Sequence, residues 1–473
     1  MRAITSDVVI IGGGVAGLAC GVALTENSVR AIVLEREVRL GGRATSWIDR
    51  ATGDTVDIGP HVVHSEYRNF LALLDRLGTR HLITWQPEPF ITLATKPRPL
   101  ELRHSLLPAP LTLLPSFLRA HELSARDNLS NTRATWRALK FCEEQVPALD
   151  ALSALDFLRG CGVSTRMIDF FWRFAAMVIL NVPLEICSAA ALMRVHSQLI
   201  GHGSLHFGFP AVGLADLYVE QAMRAIEAGG GRVLPGARVC AIERGADVHT
   251  AVLEHGQRVS GRFCVCALPP GETTELAPEV SQAPAFEPSP YISTYVWFDR
   301  KITAERFWAH LWSPSRLNYD FYDLSTIRPA WAGHASVIAA NLIYSHRAQG
   351  MSDEEIVAAT VREIAEFAPL AASASVRHAA VHRIPMAIAC PKRATETKRP
   401  GTRTAAERVF LAGDWLRTGL PSSMESAARS GFLAAEAILA DLGRGRAIAL
   451  APSANEGFAG LVRRFSSDPL YAG

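Results

Sequence analysis

The sequence VVIIGGGVAGLACGVAL, residues 8–24, places an apolar run directly before a cluster of glycines and an alanine-rich stretch. The apolar run predicts a buried parallel strand, and residues 18–24 have helical propensity. Gly12 permits a tight turn, Gly14 lets a pyrophosphate approach the main chain, and Gly17 lets the helix pack closely on the strand. The stretch therefore predicts a dinucleotide-binding strand, turn and helix.

An acidic residue follows at the spacing that such a turn requires. The second predicted strand, Ala31–Leu34, ends at Glu35, eighteen positions after Gly17. A carboxylate there is expected to accept the hydroxyls of an adenosine ribose, while the helix N-terminus offers N–H groups to the phosphates. The pattern fits NAD and FAD equally.

A second glycine turn favours FAD. In residues 39–44, RLGGRA, the backbone has no side chain at Gly42, next to Arg43 and Ala44. An arginine can fork onto a phosphate or a flavin carbonyl, so we expect Arg43, with Arg36, to bind the cofactor. A surface loop with solvated arginines is the alternative interpretation.

A third turn lies near the other end of the chain. A predicted strand over 408–411 leads into Gly413 and Asp414, and an alanine-rich helix begins at Met424. We expect Asp414 to hold ribityl hydroxyls, and N–H groups near Met424 and Glu425 to face the electron-rich end of an isoalloxazine ring. Glu425 could instead cap this last helix, and we favour the flavin role.

Four stretches together resemble one protein family. GGGVAGLA, LEREVRLGGRA, VDIGPHVV and FLAGDWLRTGLPSSMESAARSG are similar to motifs of the amine oxidase and phytoene desaturase superfamily of FAD-dependent oxidoreductases. Within it the chain most resembles the squalene-associated hydroxysqualene dehydroxylases, on these features: Asp57-x-Gly59-x-His61 and residues 106–120, 170–192 and 413–421. Residues 207–223 look as much like a carotenoid desaturase.

The resemblance implies an α/β fold in which a discontinuous, Rossmann-like FAD-binding domain carries an inserted α+β substrate domain. The expected boundaries are residues 1–105, 216–275 and 391–445 for the FAD-binding domain, 106–215 and 276–390 for the substrate-binding domain, and 446–473 for a C-terminal tail. Gly59 and Val239, the latter on a strand near the adenine, are further candidates for cofactor binding.

Residue patterns agree with an inserted domain of mixed structure. Residues 106–223 are predicted to be mostly helical. Residues 291–298 and 335–342 alternate as strands do, and 353–367 have the spacing of an amphipathic helix.

Two histidines are the candidates for catalysis. His61 and His64 follow a strand that should pass close to the flavin. Imidazole titrates near neutrality, so one of them could protonate the departing hydroxyl of an allylic alcohol. A structural, hydrogen-bonded histidine is the alternative at each position.

The resemblance implies a long isoprenoid substrate that loses an allylic hydroxyl reductively, with NADPH or another donor recharging the flavin. A carotenoid desaturase, which passes electrons through FAD to an acceptor such as a quinone, is the second hypothesis. An amine oxidase, with Trp415 as the candidate aromatic residue at the flavin face, and a prenyl-lipid carrier without flavin are weaker alternatives. No metal-ligand motif occurs, so no metal site is expected.

The composition of the chain limits the kinds of partner that we expect for it. Forty-eight Lys and Arg balance forty-six Asp and Glu, so we expect no nucleic-acid partner. Eight scattered cysteines and no long apolar run predict a cytoplasmic protein with reduced thiols. The mean hydropathy of +0.13 leaves peripheral membrane contact open. Residues 106–118, with three prolines, could form a membrane-docking mouth, but we favour ordinary core packing.

Overall fold

The computed structural model describes residues 4–278 and 286–464. A first sheet is built from strands that are distant in the sequence, in the order Arg232–Leu234, Ala31–Leu34, Ile4–Ile11, Arg258–Cys266, His249–Leu253 and Val239–Arg244, with Val409–Leu411 also paired to Arg258–Cys266. The N-terminal strand is parallel to both of its neighbours. The expected Rossmann-like sheet, assembled from separated parts of the chain, is confirmed.

The helix Val15–Glu26 follows the first glycine turn and is buried on nearly every side. The last long helix, Met424–Asp441, packs against it at Gly431, where a Cβ would lie only 2.2 Å from the carbonyl oxygen of Ala16. Parallel sheets bury both faces, which explains why strand Ile4–Ile11 ends in four buried apolar residues. The two helices therefore form one covering layer of the first sheet.

A second, mostly antiparallel sheet has seven strands in the order Val376–Ala389, Pro288–Phe298, Val337–Ile343, Asp320–Asp323, Phe307–Ala309, Ile91–Leu93 and Leu100–Leu102. The last two strands precede residue 105, so this sheet takes in chain from the segment assigned to the FAD-binding domain from the sequence. Two small sheets pair Ser46–Ile48 with Thr55–Asp57, and Phe207–Pro210 with Val63–His64 and Ile83–Trp85.

Residues 106–223 are mainly helical, as predicted. Their α-helices are Leu114–Leu118, Ala125–Ser130, Thr132–Leu139, Val146–Asp150, Ala154–Gly160, Thr165–Met167, Arg173–Leu180, Ala189–Ile200 and Val219–Ala228, with a π-helical turn at Ile168–Trp172. The other α-helices are Arg68–Leu77, Pro270–Leu276, Leu324–Ile327, Asp353–Phe367 and Gly457–Arg464. The helix predicted over 353–367 is found with those bounds, and Ser352 and Glu355 form its capping box.

The described part of the C-terminal tail is docked on the rest of the molecule. The N–H of Ala449 donates to Glu436 at 2.7 Å, and that of Leu450 donates to Asn69 at 2.8 Å. In the final helix, the N–H of Ala459 donates to the carbonyl oxygen of Ala109 at 3.0 Å. Residues 465–473 of the predicted tail lie outside the described residues.

The leucine segment, residues 106–118, packs as core only at residues such as Leu113 and Phe117, so the prediction of core packing was wrong for most of its leucines. Its fully buried residues are small, such as Ala109 and Ser116, whereas most of its leucines face outward. Five of them are exposed: Leu106, Leu107, Leu111, Leu114 and Leu118. In the final helix, Phe458 and Leu461 beside this segment are also about half exposed. Every helix within the two described ranges is too short or too polar to span a membrane.

The contact at Gly431 gives a test of the packing between the two covering helices. Gly431→Ala is expected to lower the free energy of unfolding by about 1–3 kcal/mol, because the new Cβ meets backbone rather than a flexible side chain. Denaturant unfolding measures this loss. Gly160→Ala is the matched control, since no atom lies within 4 Å of its added Cβ; equal stability of the two variants would contradict the packing argument.

Candidate functional site

One large cavity is bordered by all three glycine turns and by the second sheet. Its volume of about 1090 Å³ exceeds the usual size of a pocket for a single drug-sized ligand. Fourteen of the sixteen candidate residues line it: Gly12, Gly14, Glu35, Arg36, Gly42, Arg43, Ala44, Gly59, His61, His64, Val239, Gly413, Asp414 and Met424. Gly17 and Glu425 do not. The turns that the sequence separates by up to 400 residues thus converge on one space.

Among the glycines of the first turn, only Gly14 has open space where a side chain would stand. Gly12 has φ +113°, and a Cβ there would lie 2.5 Å from the carbonyl oxygen of Ala267. A Cβ on Gly17 would lie 1.9 Å from the carbonyl oxygen of Gly12, so Gly17 serves the contact between helix and strand. A Cβ on Gly14 would have no neighbour nearer than 4.0 Å and would project into the cavity. This cradle, at a helix N-terminus, fits a diphosphate.

The predicted ribose carboxylate lies beside this cradle. Glu35 accepts hydrogen bonds from the N–H of Gly13 at 2.8 Å and from that of Glu37 at 3.0 Å, and both orient it at the cavity wall. Val239 lines the same end. Arg36 is paired with Glu272 at 3.0 Å and is half-exposed. A carboxylate with remaining lone pairs at this position suits ribose hydroxyls.

The second and third turns are joined by an ion pair. Arg43 donates to Asp414 at 2.6 Å and to the carbonyl oxygen of Ala387 at 2.9 Å. Arg43 and Asp414 were each expected to contact the cofactor, and in the structure they also bind each other. Gly413, with φ +151°, brings the turn close to Trp415, whose ring is fully buried. Trp415 does not line the cavity, so it cannot frame a flavin face as the amine oxidase hypothesis required.

Glu425 has a different role from the one favoured from the sequence. Its carboxylate accepts the N–H of Asn69 and of Phe70, each at 2.8 Å, and the amide of Asn69. These donors lie in the first turn of helix Arg68–Leu77, where a carboxylate satisfies free N–H groups and the helix dipole. Glu425 therefore caps a neighbouring helix and does not contact the cavity.

The two histidines line the cavity, and burial disfavours the charged form of both rings. Nδ1 of His61 donates to the carbonyl oxygen of Gly59 at 2.7 Å, whereas Nδ1 of His64 accepts the N–H of Glu66 at 3.2 Å. Burial lowers the pKa of His61, and burial with the nearby His202 lowers the pKa of His64 to about 3. The expectation of a pKa near neutrality was wrong for His64, because the sequence does not reveal how far this ring is buried.

Asp57, in the motif before His61, is buried behind the cavity wall. It accepts the Arg328 guanidinium at 2.7 Å and the N–H of Leu214 at 2.8 Å. Burial nevertheless raises the pKa of Asp57. A Cβ on Gly59 would lie 2.4 Å from Oγ of Ser293, so the Gly59 turn rests directly on the second sheet. Asp57 and Gly59 together fix where His61 stands.

The rest of the cavity lies between the second sheet and the inserted helices and is mainly apolar. Its lining includes Phe174, Val178, Leu199, Leu205, Phe207 and Phe307. Four polar residues of the second sheet also line it and were missed: Tyr291, Asp320, Tyr322 and Asn341. The only signal was an aspartate within the aromatic stretch NYDFYD, residues 318–323, where alternation puts Asp320 and Tyr322 on one face.

Comparisons with known proteins agree with this geometry. Residues 15–439 match the family described as flavin containing amine oxidoreductase. The chain is 30% identical over 464 residues to 15-cis-phytoene desaturase of Solanum lycopersicum, covering 92% of this chain and 78% of that protein. It is 24% identical over 460 residues to hydroxysqualene dehydroxylase of Zymomonas mobilis, covering 91% of this chain and 98% of that protein.

Solved structures share the fold. Putrescine oxidase bound to putrescine has a TM-score of 0.72 and 17% identity, covering 93% of this chain and all of that one. Cyclohexylamine oxidase from Brevibacterium oxydans has a TM-score of 0.67 and 18% identity, with 93% of this chain and all of that one covered. At this identity the likeness establishes the fold alone.

The open space at Gly14 gives a test of the cofactor cradle. Gly14→Val is expected to lower FAD occupancy at least about tenfold, because the side chain fills the cavity without meeting protein atoms that would unfold the chain. The ratio of flavin to protein absorbance measures occupancy, and circular dichroism checks the fold. Gly160→Val is the control away from the cavity. Full flavin content in Gly14→Val would remove this turn from the binding site.

Proposed function

The chain belongs to the flavin-containing amine oxidoreductase family, and we propose that it exchanges hydride with a long isoprenoid lipid held in the apolar part of its cavity. The protein is an oxidoreductase and its cofactor is FAD. When bound, FAD supplies a hydride donor or acceptor. The observation that carries the proposal is the single cavity that joins the glycine cradle to an apolar space too large for a small polar substrate alone.

The chain's own residues bind, orient and exclude water. The glycine turns and Glu35 would hold the cofactor through main-chain N–H groups and a carboxylate. Aromatic and aliphatic side chains such as Phe174 and Leu199 would align a hydrocarbon chain and keep the reacting end dry. His61, with a lowered pKa, offers an uncharged ring at neutral pH. We infer that it orients ligands by hydrogen bonding and that the acid role expected from the sequence does not suit it.

Two directions of the reaction are candidates. Reductive removal of an allylic hydroxyl, as in a hydroxysqualene dehydroxylase, is our first proposal, with a donor such as NADPH. Desaturation of a carotenoid precursor, with an acceptor such as a quinone, is the second, and the higher identity to the tomato phytoene desaturase favours it. A polyamine substrate is less well supported, because in the part of the chain that the structure describes the substrate side of the lining is mainly apolar and Asp320 is its one charged residue on the second sheet.

Anaerobic assays in both redox states separate the two directions. Dithionite-reduced holoenzyme with hydroxysqualene is expected to yield squalene, detected by mass spectrometry, while the absorbance of oxidised flavin returns. If desaturation is the activity, phytoene is expected to reduce the flavin of the oxidised holoenzyme and so to bleach its absorbance. Unchanged lipids and flavin in both mixtures would contradict an isoprenoid substrate. Rapid bleaching of the flavin absorbance by putrescine would show that the substrate is an amine instead.

The leucine segment is proposed to bring the cavity to a membrane surface. Leu205 lines the cavity, and its N–H donates to His104, which precedes the segment by two residues. Five exposed leucines and the adjoining Phe458 and Leu461 make an apolar patch of the kind that marks a docking surface. A lipid substrate would then enter directly from the bilayer.

Vesicle flotation tests this contact. The double variant Leu106→Ser and Leu107→Ser is expected to bind phospholipid vesicles at least about tenfold more weakly, because each leucine contributes roughly 1.5–3 kcal/mol when buried in lipid. Leu370→Ser is the control, because Leu370 lies outside the patch and its exposure, 57%, falls between those of Leu106 and Leu107. Equal flotation of both variants and the parent protein would rule out the leucine segment as the docking surface.

A further inference from the structure

A row of polar side chains crosses the second sheet beneath the cavity. Ser293 stands opposite Asn341, and Asn341 stands opposite Asp320 in the adjoining strand. Residues directly opposite each other share a face, so the three side chains form one line. Ser293 lies under the Gly59 turn. The line therefore runs from the turn that carries His61 to the wall of the substrate space.

Hydrogen bonds along this row converge on one oxygen of a carboxyl group. The Tyr322 hydroxyl donates to Oδ2 of Asp320 at 2.6 Å, and the amide of Asn341 donates to the same oxygen at 3.2 Å. The Ser293 hydroxyl donates to Oδ1 of Asn341 at 3.3 Å, which fixes the orientation of that amide. Both donors to Asp320 are uncharged, in contrast to the arginine that pairs with the buried Asp57.

The second oxygen of this carboxyl group is left without a partner. Asp320 is 3% exposed and lines the cavity, yet its Oδ1 makes no hydrogen bond. Burial raises the pKa of Asp320 to about 6. A buried polar atom without a partner is costly, and among the described residues Asp320 is the only one that both lines this cavity and holds such an atom. Tyr291, which also lines the cavity, makes no hydrogen bond to Oδ1 either.

We propose that Asp320, positioned by Tyr322 and Asn341, recognises a hydroxyl group on the isoprenoid substrate. A hydroxyl both donates and accepts, so it can pair with Oδ1 whether or not the carboxyl group carries a proton. A site built around such a bond rejects the analogue that lacks the hydroxyl, because its buried oxygen then stays unpaired. The inference rests on the proposed isoprenoid substrate and specifies an oxygenated one. Asp320 is thus a specificity-determining residue.

The test compares two ligands that differ by one hydroxyl, hydroxysqualene and squalene, on the oxidised holoenzyme under anaerobic conditions. The oxidised enzyme holds no reducing equivalents for removal of the hydroxyl, so flavin or tryptophan fluorescence reports binding alone. Hydroxysqualene is expected to bind on the order of 10- to 100-fold more tightly than squalene. Asp320→Leu should bring the two dissociation constants together, mainly by weakening hydroxysqualene.

Two further variants keep the test decisive. Asp320→Asn preserves volume and is expected to retain part of the discrimination. Val178→Ala, which trims the apolar lining, should weaken both ligands by a similar factor and leave their ratio unchanged. In infrared difference spectra, hydroxysqualene but not squalene should shift a carboxyl band that Asp320→Asn removes. A merely structural aspartate would show no such ligand-specific shift.

The outcomes separate this inference from the function on which it rests. Equal affinities for both ligands in the parent protein, or discrimination that survives in Asp320→Leu, would overturn the hydroxyl site while leaving an isoprenoid substrate in place. Failure of hydroxysqualene, squalene and phytoene alike to bind a flavin-loaded protein would overturn the proposed function, and the inference with it.

Discussion

The structure depends on one close approach of main chain to main chain. The N–H of Gly41 donates to the carbonyl oxygen of Gly13 at 2.9 Å, and a Cβ on Gly42 would stand 3.6 Å from Cα of Gly14. Gly41 has φ +103°, a backbone conformation that residues with a side chain adopt only under strain. Gly42 also has a positive φ, +55°, so a side chain at either glycine would strain the second turn that makes this contact. The contact between the two turns creates the cradle and also places Arg43 where it reaches the third turn.

Buried charges hold the third turn in place from the other side. Arg399 donates to Glu396 at 2.8 Å and to the carbonyl oxygen of Asp414 at 3.4 Å. Glu396 also pairs with Arg194, which belongs to a helix of the substrate side. Removing one partner of such a buried set typically costs about 3–5 kcal/mol, because the other charge stays unpaired. Paired buried charges therefore join the third turn to the helix Ala189–Ile200.

The sequence predicts best what is local. The glycine turns, Glu35 and the helix after Met424 are defined by neighbours within a few residues, and all are found where the pattern placed them. Glu425 could not be placed in this way, because the helix it caps lies more than 350 residues away in the chain. The leucine segment was misjudged for a related reason: an apolar run shows that a surface avoids water, but not whether protein covers it.

The row of polar residues could not be predicted from the sequence because it depends on the register of the strands. Ser293, Asn341 and Asp320 come from three strands, and nothing in any one strand states which residues stand opposite. Only a sheet with this pairing gathers them on one face, since a slip of one residue would turn each to the other face. The protonation states of His61 and His64 likewise follow from burial by distant segments.

An apolar cavity by itself cannot fix the position of an isoprenoid chain. Burial of hydrocarbon is non-directional and scales with area, so a repeating chain shifted by one isoprene unit buries nearly the same surface. Such a ligand would present different carbons to the cofactor end with similar free energies. A single hydrogen bond at a fixed point removes this degeneracy, because only one register pairs the polar group. The carboxyl group of Asp320, held by Tyr322 and Asn341, is rigid enough to set that register.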